Sequence, residues 1–333
     1  MVSTELCEKV GITVPIWNAG MGGGLAGVEL AVAVSNAGGL GVLGMGGLPA
    51  AATREHIRQV RARTGKPFGV NLIMPLMAEE ELQCCLDEQV PVLVLFWGDP
   101  GPYVPRAHAA GTRVVAQVGS VGQAQAAAAA GVDAVMVQGA EAGGHNRSTL
   151  PLSVLLPATV DAVRPLPVIA AGGIADGRGL AAALDLGAQA VSLGTRFLCS
   201  NESQAAPEYK QRVARARPED TFLTTLFDIG WPNAAHRVLR NEVTETWQDA
   251  GSPPSGERPG EGEIVGTMPV AGQSIELPRY SIFMPMTGFA GDLEQQVLYC
   301  GQSCALIDDI KPAADIVRTL AADATALLAD RSR

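Results

Sequence analysis

Val168-Ile169-Ala170-Ala171-Gly172-Gly173-Ile174-Ala175-Asp176-Gly177 joins four apolar residues to a glycine turn and then to a helical pattern. An uninterrupted apolar run of this length implies a strand buried on both faces, as in a parallel sheet covered by helices. Val92-Leu93-Val94-Leu95 has the same character. Apolar runs of strand length at 14–18, 40–44, 68–73, 92–97, 113–118, 134–138, 167–171 and 190–194 alternate with helical patterns. The period of roughly 20 to 30 residues is that of βα units. Eight such units predict a (β/α)8 TIM barrel over residues 1–200. The intervening helices fit: 50–63 carries charge on one face, and 121–130 is almost pure Ala.

Beyond Cys199 the rhythm stops. Residues 201–247 are charged and helix-like, 250–263 is a loop by composition, and the region 201–291 is expected to be an inserted, mainly helical substrate or lid subdomain. Residues 292–333 look helical, with apolar positions recurring over 310–328, and are expected to pack back on the barrel.

Composition narrows the function. The 333 residues are 47% hydrophobic but only 5% aromatic, with 39 glycines, which suits close-packed parallel strands and glycine-rich strand-end loops. The net charge of −10 and the lack of any basic stripe argue against a nucleic-acid partner. Residues 1–11 lack a basic start followed by an apolar run, and no apolar stretch is long enough to span a bilayer. The six cysteines show no metal-finger spacing and read as reduced thiols of a cytoplasmic protein. No metal site is expected, because no His, Asp and Glu residues cluster at ligand spacing, and no Ser sits in a nucleophile elbow.

In such a barrel the active site lies at the carboxyl ends of the strands. The turn after the seventh strand carries Gly172 and Gly173, and Gly194-Thr195-Arg196 follows the eighth. Together these turns predict a phosphate site, since glycines let backbone N–H groups approach the oxygens and a helix start adds a favourable dipole. The first loop contains Gly22-x-Gly24-x-x-Gly27, but residues 40–48 offer no acid to hold a ribose, so a loop lying against a flat ligand is a better reading than a dinucleotide fingerprint. Asn71, Gln117 and Gln138 fall at strand ends, where their amides could hydrogen-bond the edge of a flavin ring.

Four histidines exist. His56 and His108 sit in expected helices as surface residues, and His236 is also helical by pattern. His145 follows the sixth strand in the flexible turn Glu141-Ala142-Gly143-Gly144-His145, where an imidazole could take a proton from carbon.

Several of these motifs, taken in order, resemble the nitronate monooxygenase family, formerly called 2-nitropropane dioxygenases. They are Pro15-Ile16-Trp17-Asn18-Ala19-Gly20-Met21, Asn36-Ala37-Gly38-Gly39-Leu40-Gly41, Pro67-Phe68-Gly69-Val70-Asn71, Glu141-Ala142-Gly143-Gly144-His145, the stretch 171–177 and Gly194-Thr195-Arg196-Phe197. The resemblance covers almost the whole chain. It implies non-covalent FMN, with flavin contacts at Gly20, Met21, Gly22, Asn71 and Gly143, beside the strand-end amide Gln117, and the phosphate on Gly172, Gly173, Gly194 and Thr195. It makes His145 the catalytic base in the oxidation of a small nitronate or nitroalkane by O2 to a carbonyl compound and nitrite. The same scaffold and turn occur in flavin-dependent enoyl-acyl carrier protein reductases and NADH:quinone reductases, so an NAD(P)H-dependent reductase is the alternative, and a non-catalytic flavin-binding barrel a third reading. Gln117 stands where some relatives have a Lys. Trp97, in Phe96-Trp97-Gly98-Asp99-Pro100, is expected over the pocket, where its bulk favours a small substrate. Gln302 and Ser303 are candidates to reach the pocket from the tail. The sequence leaves the oligomeric state open, a homodimer included.

Overall fold

The computed structural model of the protein describes residues 2–270 and 272–331; Met1, Ala271, Ser332 and Arg333, which include the ends of the expected first and last segments, lie outside the described residues. All eight expected strands are present, at Ile16–Asn18, Gly41–Gly44, Phe68–Ile73, Val92–Phe96, Arg113–Val118, Ala134–Gln138, Val168–Ala171 and Ala190–Leu193. They pair in parallel in the order first, eighth, seventh, sixth, fifth, fourth, third, second. A parallel bridge between Trp17 and Leu40 closes the ring, and the fold is a TIM barrel.

The closing seam has only that one bridge, and a side chain completes it. The Asn18 amide donates to the Val42 carbonyl (2.8 Å), and its oxygen accepts from the Val42 N–H (2.9 Å), so Asn18 replaces the backbone ladder between the first two strands. The second strand can approach because it begins and ends in glycine. A Cβ on Gly41 would lie 1.9 Å from the Ala31 carbonyl, and one on Gly44 1.8 Å from the Met21 carbonyl.

Side chains fill the ring. Trp17, Val94, Met136 and Ile169 form one core with Leu6, Cys7 and Val10 of the helix Glu5–Val10. The Thr4 hydroxyl donates to the Gln189 carbonyl just before the eighth strand, which sets this helix at the strands' amino ends as a stopper. The opposite rim is left for the site. Outside the ring, Ala313–Arg331 packs on the helices Gly177–Asp185 and Val28–Asn36.

Residues 201–291 differ from the expectation. The helices Pro207–Ala214 and Glu242–Asp249 are there, but so are the strands Thr221–Thr224, His236–Leu239, Ile264–Val270, Gln273–Pro278 and Ala290–Gly291, so the segment is not mainly helical. Charged residues in this stretch mimic a helical face, while the partners that make strands of it are remote in sequence. His236–Leu239 pairs antiparallel with Thr221–Thr224 and, on its other side, with the short strand Gly144–His145 of the barrel. Tyr209, Phe227, Tyr280 and Leu298 give the added layer a core of its own. Among the described residues, no helix is long and apolar enough to cross a membrane.

The seam carries a testable consequence. Replacing Asn18 by Leu strands a buried N–H and a buried carbonyl of Val42, and is expected to lower stability by about 3 kcal/mol, read as a drop in the urea midpoint at unchanged slope. A midpoint within error of the parent would show that the seam closes without Asn18.

Candidate active site

Glycine-rich loops at the carboxyl rim leave a cavity of about 190 Å3, joined to a second of about 50 Å3. Gly20, Met21, Gly22, Asn71, Gln117, Gly143, His145, Gly194 and Thr195 line the larger one, and Gly172 and Gly173 line the smaller. The His145, flavin and phosphate candidates singled out in the sequence therefore border one connected space. Ala19, Gln117, Gln138, Gly143, Gly194 and Thr195 border both parts. Of the tail residues, Ser303 reaches the smaller cavity and Gln302 lines neither.

The loops owe their shape to close contacts. A Cβ on Gly20 would stand 2.2 Å from the Asn71 Cβ, so the first loop lies flat on Asn71, whose amide donates to the buried Val94 carbonyl at 3.2 Å. A Cβ on Gly143 would stand 2.4 Å from the Gly301 nitrogen, because the tail crosses the sixth loop there. Gly301 N–H donates to the Thr195 hydroxyl (3.0 Å), which ties that crossing to the eighth loop. Gly172 and Gly173 have φ of 98° and 72°, a backbone that side chains disfavour.

One part of the expected phosphate site differs. The helix Gly177–Asp185 is capped by Asp176, whose carboxylate accepts from the N–H groups of Arg178 (3.0 Å) and Gly179 (3.2 Å). Its dipole is already answered by an acid. The turn Thr195–Leu198 instead begins after Gly194 with no side-chain cap, leaving first-turn N–H groups for another acceptor.

His145 is not on a flexible turn. It pairs with His236 in an antiparallel register, its carbonyl accepts from the Gln138 amide (3.1 Å), and Asn146 behind it donates to the Gly139 carbonyl (2.8 Å). The imidazole stacks on Trp231 with centroids 4.2 Å apart and planes 27° apart, and the rings of His236 and Tyr299 lie at 5.2 and 5.4 Å. Burial among these rings, and secondarily His236, holds its pKa well below the usual 6.5, so it is neutral at physiological pH.

His236 is a strand residue, not a helical one, and is fully buried. Its Nε2 accepts from the Phe227 N–H (3.3 Å), which leaves Nδ1 to donate to the Ala234 carbonyl (2.8 Å). With both nitrogens engaged it is a structural histidine, and burial lowers its pKa to about 4. His56 contacts the Ala52 carbonyl within its own helix, and His108 meets Asp133 at the surface, as the sequence suggested.

Trp97 does not line the cavity; Trp231 does. Trp97 has a φ of 68° and stands behind Trp231, ring centroids 4.8 Å apart, with the Arg147 guanidinium over it. Trp231 comes from the connection between Thr221–Thr224 and His236–Leu239, folded over the rim. That connection is fastened by a bridge from Ile229 to Ser281 and by Arg258, which donates to the Leu226 carbonyl and Asp228 carboxylate, both at 2.7 Å. The local signal was an indole inside Gly230-Trp231-Pro232-Asn233, where turn composition predicts polar residues. Tyr299, whose hydroxyl donates to the Ile282 carbonyl, was the other wall residue missed.

Gln138 Oε1, His145 Nε2 and Ser192 Oγ are buried with no hydrogen-bond partner among the described residues, and all three residues border the cavities. Buried polar atoms are ordinarily paired. Three unpaired ones around one space, with open glycine turns beside them, fit a ligand that has a polar heterocyclic edge and an anionic end.

The Nitronate monooxygenase family model matches residues 3–323. The chain is 33% identical over 269 residues to a "Probable nitronate monooxygenase" of Staphylococcus aureus, covering 67% of this chain and 75% of that protein. It is 40% identical over 245 residues to a Mycobacterium tuberculosis protein named "(3aS,4S,5R,7aS)-5-hydroxy-7a-methyl-1-oxo-octahydro-1H-indene-4-carboxyl-CoA dehydrogenase", covering 73% of this chain and 67% of that one. Among solved structures, FabK of Thermotoga maritima aligns with a TM-score of 0.82 at 32% identity, over 100% of this chain and 99% of that one. A nitroalkane oxidase of Streptomyces ansochromogenes aligns with a TM-score of 0.78 at 28% identity, over 97% and 99%.

His236, fully buried, and His145, half-buried, predict the acid limit of stability. Both are neutral in the fold and titrate near 6.5 when unfolded, so the unfolded chain binds more protons below that pH. Their contribution is intact above pH 6.5 and is lost as pH falls towards about 4. The urea midpoint of His236→Gln should depend less steeply on pH across that window than the parent's; an identical slope would contradict the burial assigned to His236.

Proposed function

The chain belongs to the nitronate monooxygenase family, and on that premise we propose that it is an FMN-dependent oxidoreductase that converts small nitroalkanes or their nitronates, with O2, to a carbonyl compound and nitrite. The observation that carries the reading is His145, a neutral imidazole packed among rings on a cavity whose other walls are glycine turns, strand-end amides and apolar side chains. Gly20, Met21, Gly22, Asn71, Gln117 and Gly143 would hold the flavin ring, and Gly172, Gly173, Gly194 and Thr195 the phosphate. Bound there, FMN supplies a two-electron acceptor that O2 can reoxidise.

The protein's own contribution is placement and proton transfer. His145 removes the α-proton of a neutral nitroalkane: the C–H bond breaks, the imidazole gains the proton, and the electron pair moves onto the nitro group. The Gln138 amide, donating to the His145 carbonyl, keeps that segment in place. Residues 201–291, through Trp231, act as the lid that keeps water from the reacting carbon. The six cysteines, all free and buried, suit a reducing cytoplasm.

A second reading has specific support. The likeness to FabK and to a carboxyl-CoA dehydrogenase favours an NAD(P)H-dependent reductase or a dehydrogenase of acyl thioesters on the same scaffold.

The experiment is to mix FMN-loaded protein with NADH without oxygen and, separately, with 1-nitropropane or propyl nitronate in air. Oxygen uptake with nitrite release is expected, whereas rapid anaerobic bleaching by NADH would favour the reductase. His145→Ala should slow the neutral nitroalkane by about 100-fold or more and the preformed nitronate far less. With the base pKa below 6.5, the parent rate on the neutral substrate should be flat from pH 8 to 6.5 and decline only in more acid solution. An unchanged rate in His145→Ala defeats the assignment of the base.

A further inference from the structure

We propose that Arg196 and Lys210, two buried cations that border neither cavity, are positioning residues for the cofactor's phosphate: they shape the eighth loop from behind and supply the positive field that its dianion needs. The inference rests on the functional reading above, in which Gly172, Gly173, Gly194 and Thr195 take that phosphate. Among the described residues, no Lys or Arg borders either cavity. A phosphate held there meets glycine turns and hydroxyls, so its charge has to be balanced from a distance.

The chain just beyond Thr195 collects two positive charges. The buried Arg196 guanidinium donates to the carbonyls of Cys199 (3.0 Å) and Asp309 (2.8 Å) and pairs with the Asp309 carboxylate (2.7 Å). Lys210, buried on the helix Pro207–Ala214, donates to the carbonyls of Ser200 (2.7 Å), Asn201 (3.3 Å) and Ser203 (2.7 Å). Three carbonyls around one nitrogen call for three N–H donors, so the group is an ammonium and not a neutral amine. Among the described residues no carboxylate pairs with it; the neighbouring Glu202 carboxylate accepts instead from the Ala313 N–H at 2.8 Å. Asp309 in turn is shared between Arg196 and Lys311, the latter at 3.0 Å.

The result is an excess of positive charge on one side of the phosphate only. On the other side, behind Gly172 and Gly173, Asp176 pairs with Arg178 (2.9 Å) and the Glu141 carboxylate accepts from the Leu152 N–H (3.0 Å), so that loop offers no free cation. The two cations also act on shape. By gathering the carbonyls of Cys199, Ser200, Asn201 and Ser203 they turn the chain away from the rim directly after Thr195, which keeps Gly194 and Thr195 at the cavity. Inside protein, where water screens little, a buried charge reaches a dianion that it does not touch.

The test compares protein loaded with FMN and protein reloaded with riboflavin, which has the same ring and no phosphate. Each is diluted in steps and the released flavin is read by its fluorescence, giving two Kd values. Lys210→Met should weaken FMN by about 10-fold and riboflavin by less than about twofold. Asp309→Asn keeps the carbonyl that Arg196 uses and removes a half-buried negative charge, so it should tighten FMN by about threefold and leave riboflavin unchanged. Equal weakening of both flavins by Lys210→Met, or FMN held no tighter by Asp309→Asn, overturns the inference and leaves the functional reading standing. Should Lys210→Met fail to fold, Asp309→Asn decides alone by the same criterion. Protein that takes up no FMN defeats the functional reading itself and the inference with it.

Discussion

The site depends on the dehydration of one imidazole. His145 sits on a two-residue strand, paired to His236 on one side and stacked on Trp231, so its half-buried ring is held in place and partly shielded from water. Desolvation is the larger reason its pKa falls, and an imidazole that is neutral near pH 7 is in the state that the proposed proton abstraction requires. The surrounding structure serves this end. Arg258 and the Ile229–Ser281 bridge fix the connection that carries Trp231, and Tyr209 donates to the Tyr299 carbonyl at 2.6 Å to fix the third ring.

Beneath the imidazole, the barrel turns a set of short loops into one wall. Closure at the seam by Asn18 brings the first loop beside the second strand, and the glycines at 41 and 44 let backbone meet backbone there. Gly20 resting on Asn71 and Gly143 under the tail continue the same tactic round the rim. Removing side chains from the near wall leaves space and polar backbone for a flat ligand, while the far wall keeps apolar side chains. The two halves of the cavity thereby have different chemistry although they share a rim.

The barrel was legible because its signals are local. A strand such as 92–96 is a run of apolar residues ended by a turn, and neither depends on anything far away. The rim candidates were legible for the same reason, since a residue just after a barrel strand must lie at the mouth. What the sequence hid was pairing at a distance. Strand His236–Leu239 exists because Gly144–His145 and Thr221–Thr224 flank it, and its charged, helix-like spelling gives no hint of either neighbour. The same blindness put Trp97 over the pocket in place of Trp231, since an indole at a strand end looks closer to the mouth than one in a connection beyond the barrel. The Asp176 cap was readable, an acid just before a helix, and it answers the dipole of the helix that begins at Gly177.

The most direct test of the account is the titration of the His145 imidazole in the folded protein, followed by NMR with isotopically labelled histidine and assigned with the His145→Ala variant. The account predicts a ring that is neutral at pH 7, with a midpoint well under 6.5. A midpoint at or above 6.5 would mean that water or a counter-charge reaches the ring, and would contradict the claim that a desolvated, neutral imidazole borders this cavity.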